Sequence, residues 1–296
     1  MQSIFVCNTA GDSLSEINLM NYNVNNYPLD LGKRPVGPQK ITYYKDKLII
    51  SNSYNDTISI FSLKEKKEIS NMYIGAHPND LKIYGSSAYV VCSDSNSVVE
   101  ADIDTGELIS SLSVSEYPHS IEIDDENKIL YVSSLNCNVI SVVDLENGIV
   151  IAEIKTYENP TKIFLSKDKK NLYLCESNFG RDIEGYISII STENYKVTKR
   201  IRAGMEPIDL WVEDNKLYVV SLSEGSLNII DIQKGRQIKK IYIGGMPKSI
   251  IKIENDIFIG DYMNGRVVKV NLKERVIKNI TVGKEPNAMI LVDYLL

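Results

Sequence analysis

Short apolar segments separated by polar turns repeat along the whole chain, and they have the composition of β-strands. Several alternate apolar with polar residues, as in "TISIF" at 57–61 and "YISII" at 186–190. Such alternation is typical of strands that bury one face, and β-branched and aromatic residues fit a pleated sheet. Asn, Asp, Gly and Ser fill the intervening turns. The pattern predicts an all-β chain.

A proline recurs at nearly constant spacing and divides the chain into similar units. The successive spacings are 40, 40, 42, 47, 40 and 39 residues, and an apolar residue stands three positions after each proline. The prolines are Pro38, Pro78, Pro118, Pro160, Pro207, Pro247 and Pro286. A period of about 40 in a strand-rich chain is typical of a β-propeller built from four-stranded blades. We predict a seven-bladed β-propeller, formed as a single domain over residues 1–296.

Each unit contains four predicted strands, named A to D in chain order, and strand A begins at the proline. The segment 1–31 supplies strands B, C and D without an A, whereas 287–296 supplies an A strand without a B. Pairing of 290–292 with 4–7 would complete a seventh blade and close the ring. Closure removes two free strand edges that would otherwise promote aggregation. The alternative is an open arc of six blades with unpaired ends.

The repeated segments resemble the YVTN-repeat family of β-propellers. That repeat reads roughly P-x-x-I, LYVTN, N-x-V-S-V-I-D and I-x-V-G before the next proline, and this chain has "LYVSS" at 130–134 and "IYIGGMP" at 241–247. Other units have "ISN", "VCS" or "IGD" in place of "VTN". The resemblance covers essentially the whole chain and implies the propeller fold. It implies no single activity, because similar proteins include surface-layer proteins and lactonase-like proteins.

Composition and charge argue against several functions. There are 33 Lys and Arg residues against 39 Asp and Glu residues, which gives a net charge of −6. Nucleic acids and anionic membranes both attract basic surfaces, so we predict no nucleic-acid binding and no membrane insertion. The first residues lack a basic segment followed by an apolar one, and no stretch approaches the roughly 18 apolar residues of a membrane span. We expect a cytoplasmic protein, with export by a signal-independent route as the alternative.

The four cysteines are predicted to be reduced. Cys7, Cys92 and Cys175 align at the next-to-last position of strand B in three non-adjacent units, and Cys137 falls in a B–C turn. A disulfide needs Cα atoms within about 7 Å, and separate blades do not offer that distance. No Cys-x-x-Cys spacing indicates a zinc site or a redox pair.

The chain has two histidines, His77 and His119, each next to the proline of its unit. In neighbouring blades they could converge at the mouth of the central channel, with Asp80 or Glu116 as a third group. We expect instead two loop histidines that face different directions, because two histidines without a third ligand make a poor metal site. Standard catalytic motifs are missing from the sequence. We predict no catalytic residue, no metal ligands and no cofactor.

The second residue after each proline is expected to face the central channel. Around the ring these positions hold Lys40, Asp80, Ser120, Lys162, Asp209, Ser249 and Ala288. Lys40 with Asp80, and Lys162 with Asp209, are oppositely charged neighbours. We predict two ion pairs between blades, because opposite charges that lie close together in a narrow ring pair with each other and not with a ligand. The alternative is a pocket at the channel mouth for a small charged ligand.

One connection is longer than its counterparts. The interval after Pro160 exceeds the others by 5 to 8 residues, and the excess lies in "ESNFGRDIEG" at 176–185, between strands B and C. Insertions in repeat proteins concentrate on one face, often the binding face. Phe179, Arg181 and Asp182 lie in this loop, and Phe and Arg are enriched in protein interfaces. The alternative is a tolerated surface insertion, since extending a loop costs little.

The B–C and D–A connections lie on the same face of a propeller, which we call the upper face. With few catalytic side chains and one enlarged upper loop, the sequence favours a non-enzymatic binding or assembly scaffold that recognises a protein partner through these loops. A small-molecule ligand in the channel mouth is a further expectation. The alternative function is a lactonase-like hydrolase or lyase that acts at the channel mouth on a small molecule.

Overall fold

The computed structural model describes residues 2–29, 34–274 and 276–294. Residues 1, 30, 31, 295 and 296 of the predicted closing segments lie outside this range. The strands form seven four-stranded antiparallel sheets, arranged as the predicted seven-bladed propeller. No helix in the described ranges is long and apolar enough to cross a membrane.

The first half of the chain contains strands β1 to β15. Three strands come before the first complete blade: β1 (Gln2–Asn8), β2 (Ser13–Asn18) and β3 (Val24–Pro28). Blade 1 contains β4 (Pro38–Tyr44), β5 (Lys47–Asn52), β6 (Thr57–Ser62) and β7 (Lys67–Tyr73). Blade 2 contains β8 (Pro78–Tyr84), β9 (Ser87–Cys92), β10 (Ser97–Asp102) and β11 (Leu108–Ser113). Blade 3 contains β12 (Pro118–Asp124), β13 (Ile129–Ser134), β14 (Val139–Asp144) and β15 (Ile149–Lys155).

The second half repeats this arrangement and ends with one extra strand. Blade 4 contains β16 (Pro160–Leu165), β17 (Asn171–Glu176), β18 (Tyr186–Ser191) and β19 (Val197–Arg202). Blade 5 contains β20 (Pro207–Glu213), β21 (Lys216–Ser221), β22 (Ser226–Asp231) and β23 (Arg236–Tyr242). Blade 6 contains β24 (Pro247–Ile253), β25 (Asp256–Asp261), β26 (Arg266–Asn271) and β27 (Ile277–Thr281). The last strand is β28 (Pro286–Asp293).

The recurring prolines each begin an innermost strand, as predicted. Proline is tolerated at the first residue of a strand because it has no N–H to donate to the ladder. In blade 1, Pro38 lies opposite Asn52 and Lys40 lies opposite Ser51, so one extra residue, Gln39, forms a bulge. The same shift follows the proline in blades 2 to 6. A bulge redirects side chains, and here it sets which residues line the upper end of the channel.

The two ends of the chain close the ring by forming blade 7, in the order β28, β1, β2, β3. β28 pairs antiparallel with β1, and Ser3 lies opposite Val292 while Phe5 lies opposite Ile290. Residues 290–292 therefore pair with 3–5, slightly earlier than the predicted 4–7. The closed ring is confirmed, and the open arc of six blades is wrong.

The hydrophobic core is divided among the blade interfaces. The buried apolar side chains of the described chain form seven clusters, and each cluster joins two neighbouring blades. Successive strand residues point to opposite faces. Leu48 and Ile50 of β5 accordingly pack towards blade 7, whereas Ile49 packs towards blade 2. This two-sided burial explains why the second strand of each blade is a nearly continuous apolar run.

All four cysteines are free, and Cys137 is exposed while the other three are buried. One predicted alignment is wrong. Cys175 lies opposite Lys162, but Cys92 lies opposite Pro78, one position later in its strand. The difference arises because "YVVCS" at 89–93 ends one residue later relative to the strand pairing than the other segments do: Cys92 and not Ser93 lies opposite the proline, as Asn52 does in blade 1. Burial raises the pKa of the Cys92 thiol to about 12, which keeps it protonated and unreactive at neutral pH.

Candidate functional site

The innermost strands surround a central channel that contains two adjoining cavities. The upper cavity, of about 50 Å³, is lined by residues one and two positions after the prolines. The lower cavity, of about 380 Å³, is lined by residues two to five positions after them. Lys40, Asp80 and Lys162 line both cavities. The predicted ring of second-position residues therefore lies where the two cavities meet.

The ion pair that forms in this ring differs from the two predicted. Lys162 Nζ lies 3.5 Å from Asp80 Oδ2, so the pair joins blade 4 to blade 2. No other described carboxylate lies within 4.0 Å of Lys162 Nζ, and none lies within that distance of Lys40 Nζ. The predicted pairs of Lys40 with Asp80 and of Lys162 with Asp209 are therefore not formed. A lysine side chain is long enough to reach past the intervening blade. The prediction considered only residues of neighbouring blades and therefore missed this pair.

Asp80 is a buried carboxylate held in its charged form. Ser120 Oγ donates a hydrogen bond to its Oδ2 at 2.9 Å. Burial alone would raise the pKa of Asp80, but the cations Lys162, Lys40 and Lys82 lower it to about 2. Asp80 is therefore ionised throughout the physiological range.

Asp209 links neighbouring blades through the backbone. Its Oδ1 accepts the N–H of Leu210 at 2.9 Å, and its Oδ2 accepts the N–H of Ile250 in blade 6 at 3.1 Å. Ser120 makes the same kind of link, because its Oγ accepts the N–H of Ile163 in blade 4 at 3.4 Å. The polar ring therefore fastens the inner strands to one another.

The upper end of the channel carries more positive charge than the described carboxylates there neutralise. Lys248, one position after Pro247, lines the upper cavity, and its Nζ lies 4.7 Å from the centre of the Tyr262 ring. Burial and the nearby Lys40 lower the pKa of Lys248 to about 8, against an opposing effect of Glu285. The sequence prediction missed Lys248 because it considered the second position after each proline and not the first.

The two histidines lie in different environments. His119 lines the upper cavity, and its Nδ1 donates to the Thr161 carbonyl oxygen at 2.6 Å. Burial, together with Lys40 and Lys248, lowers the pKa of His119 to about 4, although the Thr161 hydrogen bond opposes this change. His77 lies outside both cavities, one third exposed, with its Nδ1 3.9 Å from Asp94. His, Cys, Asp and Glu side chains in the described ranges form no group of three that could hold a metal ion.

The long loop 176–185 is fixed to its surroundings. The Phe179 N–H donates to Asn159 Oδ1 at 2.9 Å, and the Gly180 N–H donates to Glu206 Oε1 at 3.0 Å. The Phe179 ring packs against the cluster between blades 5 and 6. Phe179, which we predicted as a contact residue, therefore anchors the loop.

The outer part of the loop remains accessible. Arg181 is 54% exposed and forms an ion pair of 2.7 Å with Glu158. Asp182 is exposed, and Ile183 is 50% exposed. Beside the loop, Tyr157 is 49% exposed and lies beneath the Arg200 guanidinium, 3.6 Å from ring centre to Cζ. We call the surface formed by Tyr157, Arg181, Asp182 and Ile183 the blade-4 patch.

Comparison with known proteins identifies the fold and no family. No protein-family model matches the sequence, and no curated protein matches it. A Kuenenia stuttgartiensis hydrazine synthase structure is similar, with a TM-score of 0.77 and 19% identity over 85% of this chain and 88% of that one. A functionally unknown protein from Desulfotomaculum acetoxidans DSM 771 has a TM-score of 0.81 and 12% identity over 98% of both chains. Likeness at these identities shows a shared propeller fold and does not transfer an activity.

Proposed function

We propose that this protein is a non-enzymatic binding scaffold that recognises a protein partner through the blade-4 patch. The observation that carries the proposal is the long loop 176–185. Its base is held in place, and its tip is exposed. A loop already fixed in one conformation loses little entropy when a partner binds. The resemblance to the YVTN-repeat family belongs to the same proposal, because surface-layer proteins of that kind are assembly proteins.

The chemistry of the patch supports a protein ligand. Tyr and Arg are enriched among residues that dominate binding energy in interfaces, and Ile183 adds apolar area beside them. The ion pair of Arg181 with Glu158 is exposed at 54% and 42%, which is typical of the polar border of an interface. Phe179 anchors the loop by packing against the core, and the partly buried side chain stays a predicted contact residue.

Site-specific photo-crosslinking tests this proposal. A photoreactive amino acid at position 183 should capture one partner, which is then purified and titrated against the wild-type protein by calorimetry. Ile183→Asp should weaken the Kd by about thirtyfold or more, because hot-spot residues contribute at least about 2 kcal/mol. Ile238→Asp is the matched control, since Ile238 is 46% exposed on the outer strand β23. Equal affinity for both variants, or the same products from crosslinkers at 183 and 238, would contradict the proposal.

A further inference from the structure

The lower cavity of the channel combines an apolar wall with a cation, Lys40, that no described residue pairs. Its wall includes Phe164 of blade 4, Trp211 of blade 5, and Met289 and Leu291 of blade 7. Each of these side chains is only partly buried, so solvent reaches this apolar surface. A volume of about 380 Å³ falls within the range of about 300 to 1,000 Å³ that is typical of small-molecule sites. The cavity is therefore large enough for a compact organic molecule.

Most charges in the lower cavity are already paired. Lys82 lies 2.9 Å from Glu122 Oε2. Lys252 pairs with Glu213, and Lys162 pairs with Asp80. Both oxygens of Asp209 accept backbone N–H groups, as described above. These charged groups shape the cavity, and their existing partners leave them no need for a ligand.

Lys40 is the exception among the described cationic residues of this cavity. Its Nζ makes no hydrogen bond to a described residue and has no described carboxylate oxygen within 4.0 Å. The residue is partly buried and lines both cavities of the channel. An anionic ligand in the cavity would supply the counter-charge that no described residue provides within 4.0 Å of Lys40 Nζ.

We propose that the lower cavity binds a small organic anion whose acid group pairs with Lys40 and whose apolar or aromatic body packs against Phe164 and Trp211. A carboxylate or sulfonate fits this role, because a charged oxygen acceptor makes strong hydrogen bonds to an ammonium group. Lys248 adds to the positive charge at this end of the cavity: its pKa is lowered first by burial and then by the nearby charge of Lys40. This site is on the channel axis and is independent of the blade-4 patch.

The chain contains one tryptophan, Trp211, which lines this cavity, so a change in tryptophan emission is assigned to that residue. The probe is 1-anilinonaphthalene-8-sulfonate, an aromatic sulfonate that accepts energy from a nearby tryptophan. We expect one molecule to bind per chain and to quench Trp211 emission. The uncharged analogue N-phenyl-1-naphthylamine serves as the comparison, because it offers a similar aromatic body without the acid group.

Substitution of Lys40 separates the two parts of the proposal. Lys40→Met should weaken the Kd of the sulfonate by about tenfold, as expected for a hydrogen bond to a charged group, and should leave that of the uncharged analogue within about twofold. Lys40→Arg should retain binding. Lys64→Met is the control, because Lys64 is exposed in a turn of the same blade. If Lys40→Met weakens both probes equally, or neither, the assignment of Lys40 as the anion partner is wrong.

A competition measurement on the wild-type protein needs no variant. 4-Phenylbutyrate should displace the sulfonate probe, whereas 4-phenylbutan-1-ol, which has the same body without the charge, should displace it at least about tenfold less well. Equal displacement by the acid and the alcohol would show a cavity that selects apolar molecules only. Probe fluorescence without quenching of Trp211 would place the probe elsewhere and overturn the proposal.

Discussion

Lys162 reaches past an entire blade to place its ammonium group 3.5 Å from the Asp80 carboxylate. The two side chains are 13% and 4% exposed, so this ion pair is almost fully removed from water. Breaking a buried pair by removing one partner leaves an uncompensated charge, which is far more destabilising than the loss of a surface pair.

Lys162→Met should therefore lower the free energy of unfolding by about 3 kcal/mol. Lys162→Met with Asp80→Asn should recover most of that loss, because neither member of the pair is then left as an uncompensated charge. Guanidinium denaturation of the wild type, both single variants and the double variant gives the coupling energy. A loss below about 1 kcal/mol for Lys162→Met would mean that Lys40 and Lys82 neutralise Asp80 unaided.

His119 should make the protein less stable in mild acid. The unfolded chain takes up a proton near the ordinary histidine pKa of 6.5, whereas the folded protein does so only near 4. The free energy of unfolding is therefore unaffected by His119 above pH 6.5 and decreases as the pH drops towards 4, by about 3 kcal/mol in total. His119→Asn should flatten this decline in denaturation curves measured between pH 7 and 4. His77→Asn is the control and should retain it; an unchanged slope in His119→Asn would refute the assignment.

Lys248→Met should stabilise the protein at neutral pH. The folded pKa of about 8 lies below the ordinary lysine value of 10.5, so the folded protein holds this proton less firmly than the unfolded chain. Holding Lys248 protonated in the folded protein therefore lowers the free energy of unfolding by about 3 kcal/mol at most. This loss is full below pH 8 and disappears as the pH rises towards 10.5. Thermal melting at pH 7 and pH 10 should show a gain in Tm that shrinks at the higher pH. A lower Tm at pH 7 would show that the contact with Tyr262 outweighs the repulsion from Lys40.

Phe179→Ala and Arg181→Ala should differ in their effect on stability. Phe179 packs against a core cluster, so its truncation should cost about 2 kcal/mol, less than the 3 to 5 kcal/mol of a fully buried Phe. Arg181 forms an exposed pair, and its removal should cost less than about 1 kcal/mol. Urea denaturation measures both. Equal and small losses would show that the loop is not anchored through Phe179.

The repeat made the fold predictable from the sequence. A proline can begin an inner strand, and the apolar residue three positions later always faces a blade interface, so both recur with each blade. The closing blade was predicted because the two ends of the chain each supply strands that the other end lacks. The pairing of Phe5 with Ile290 confirms this prediction.

The channel was less predictable because its contacts depend on side-chain reach and local register. Lys162 passes over blade 3 to Asp80, a contact that no spacing along the chain encodes. The alignment of Cys92 failed by one residue because the segment used for it ends one residue past the strand, at Ser93. Lys248 could have been found, since the first position after the proline recurs as regularly as the second. The anchoring of Phe179 depends on packing against strands that follow it in the chain.

The hydrogen bond from Gln2 Nε2 to Asp293 Oδ2 joins positions 291 residues apart. Strands β1 to β3 are therefore synthesised first, yet their sheet receives its fourth strand only when β28 has been made. Until then β1 presents an unpaired edge, which can pair with another chain. Of the seven blades, the one begun first on the ribosome is completed last, and its open edge is exposed to misassembly until β28 has been made.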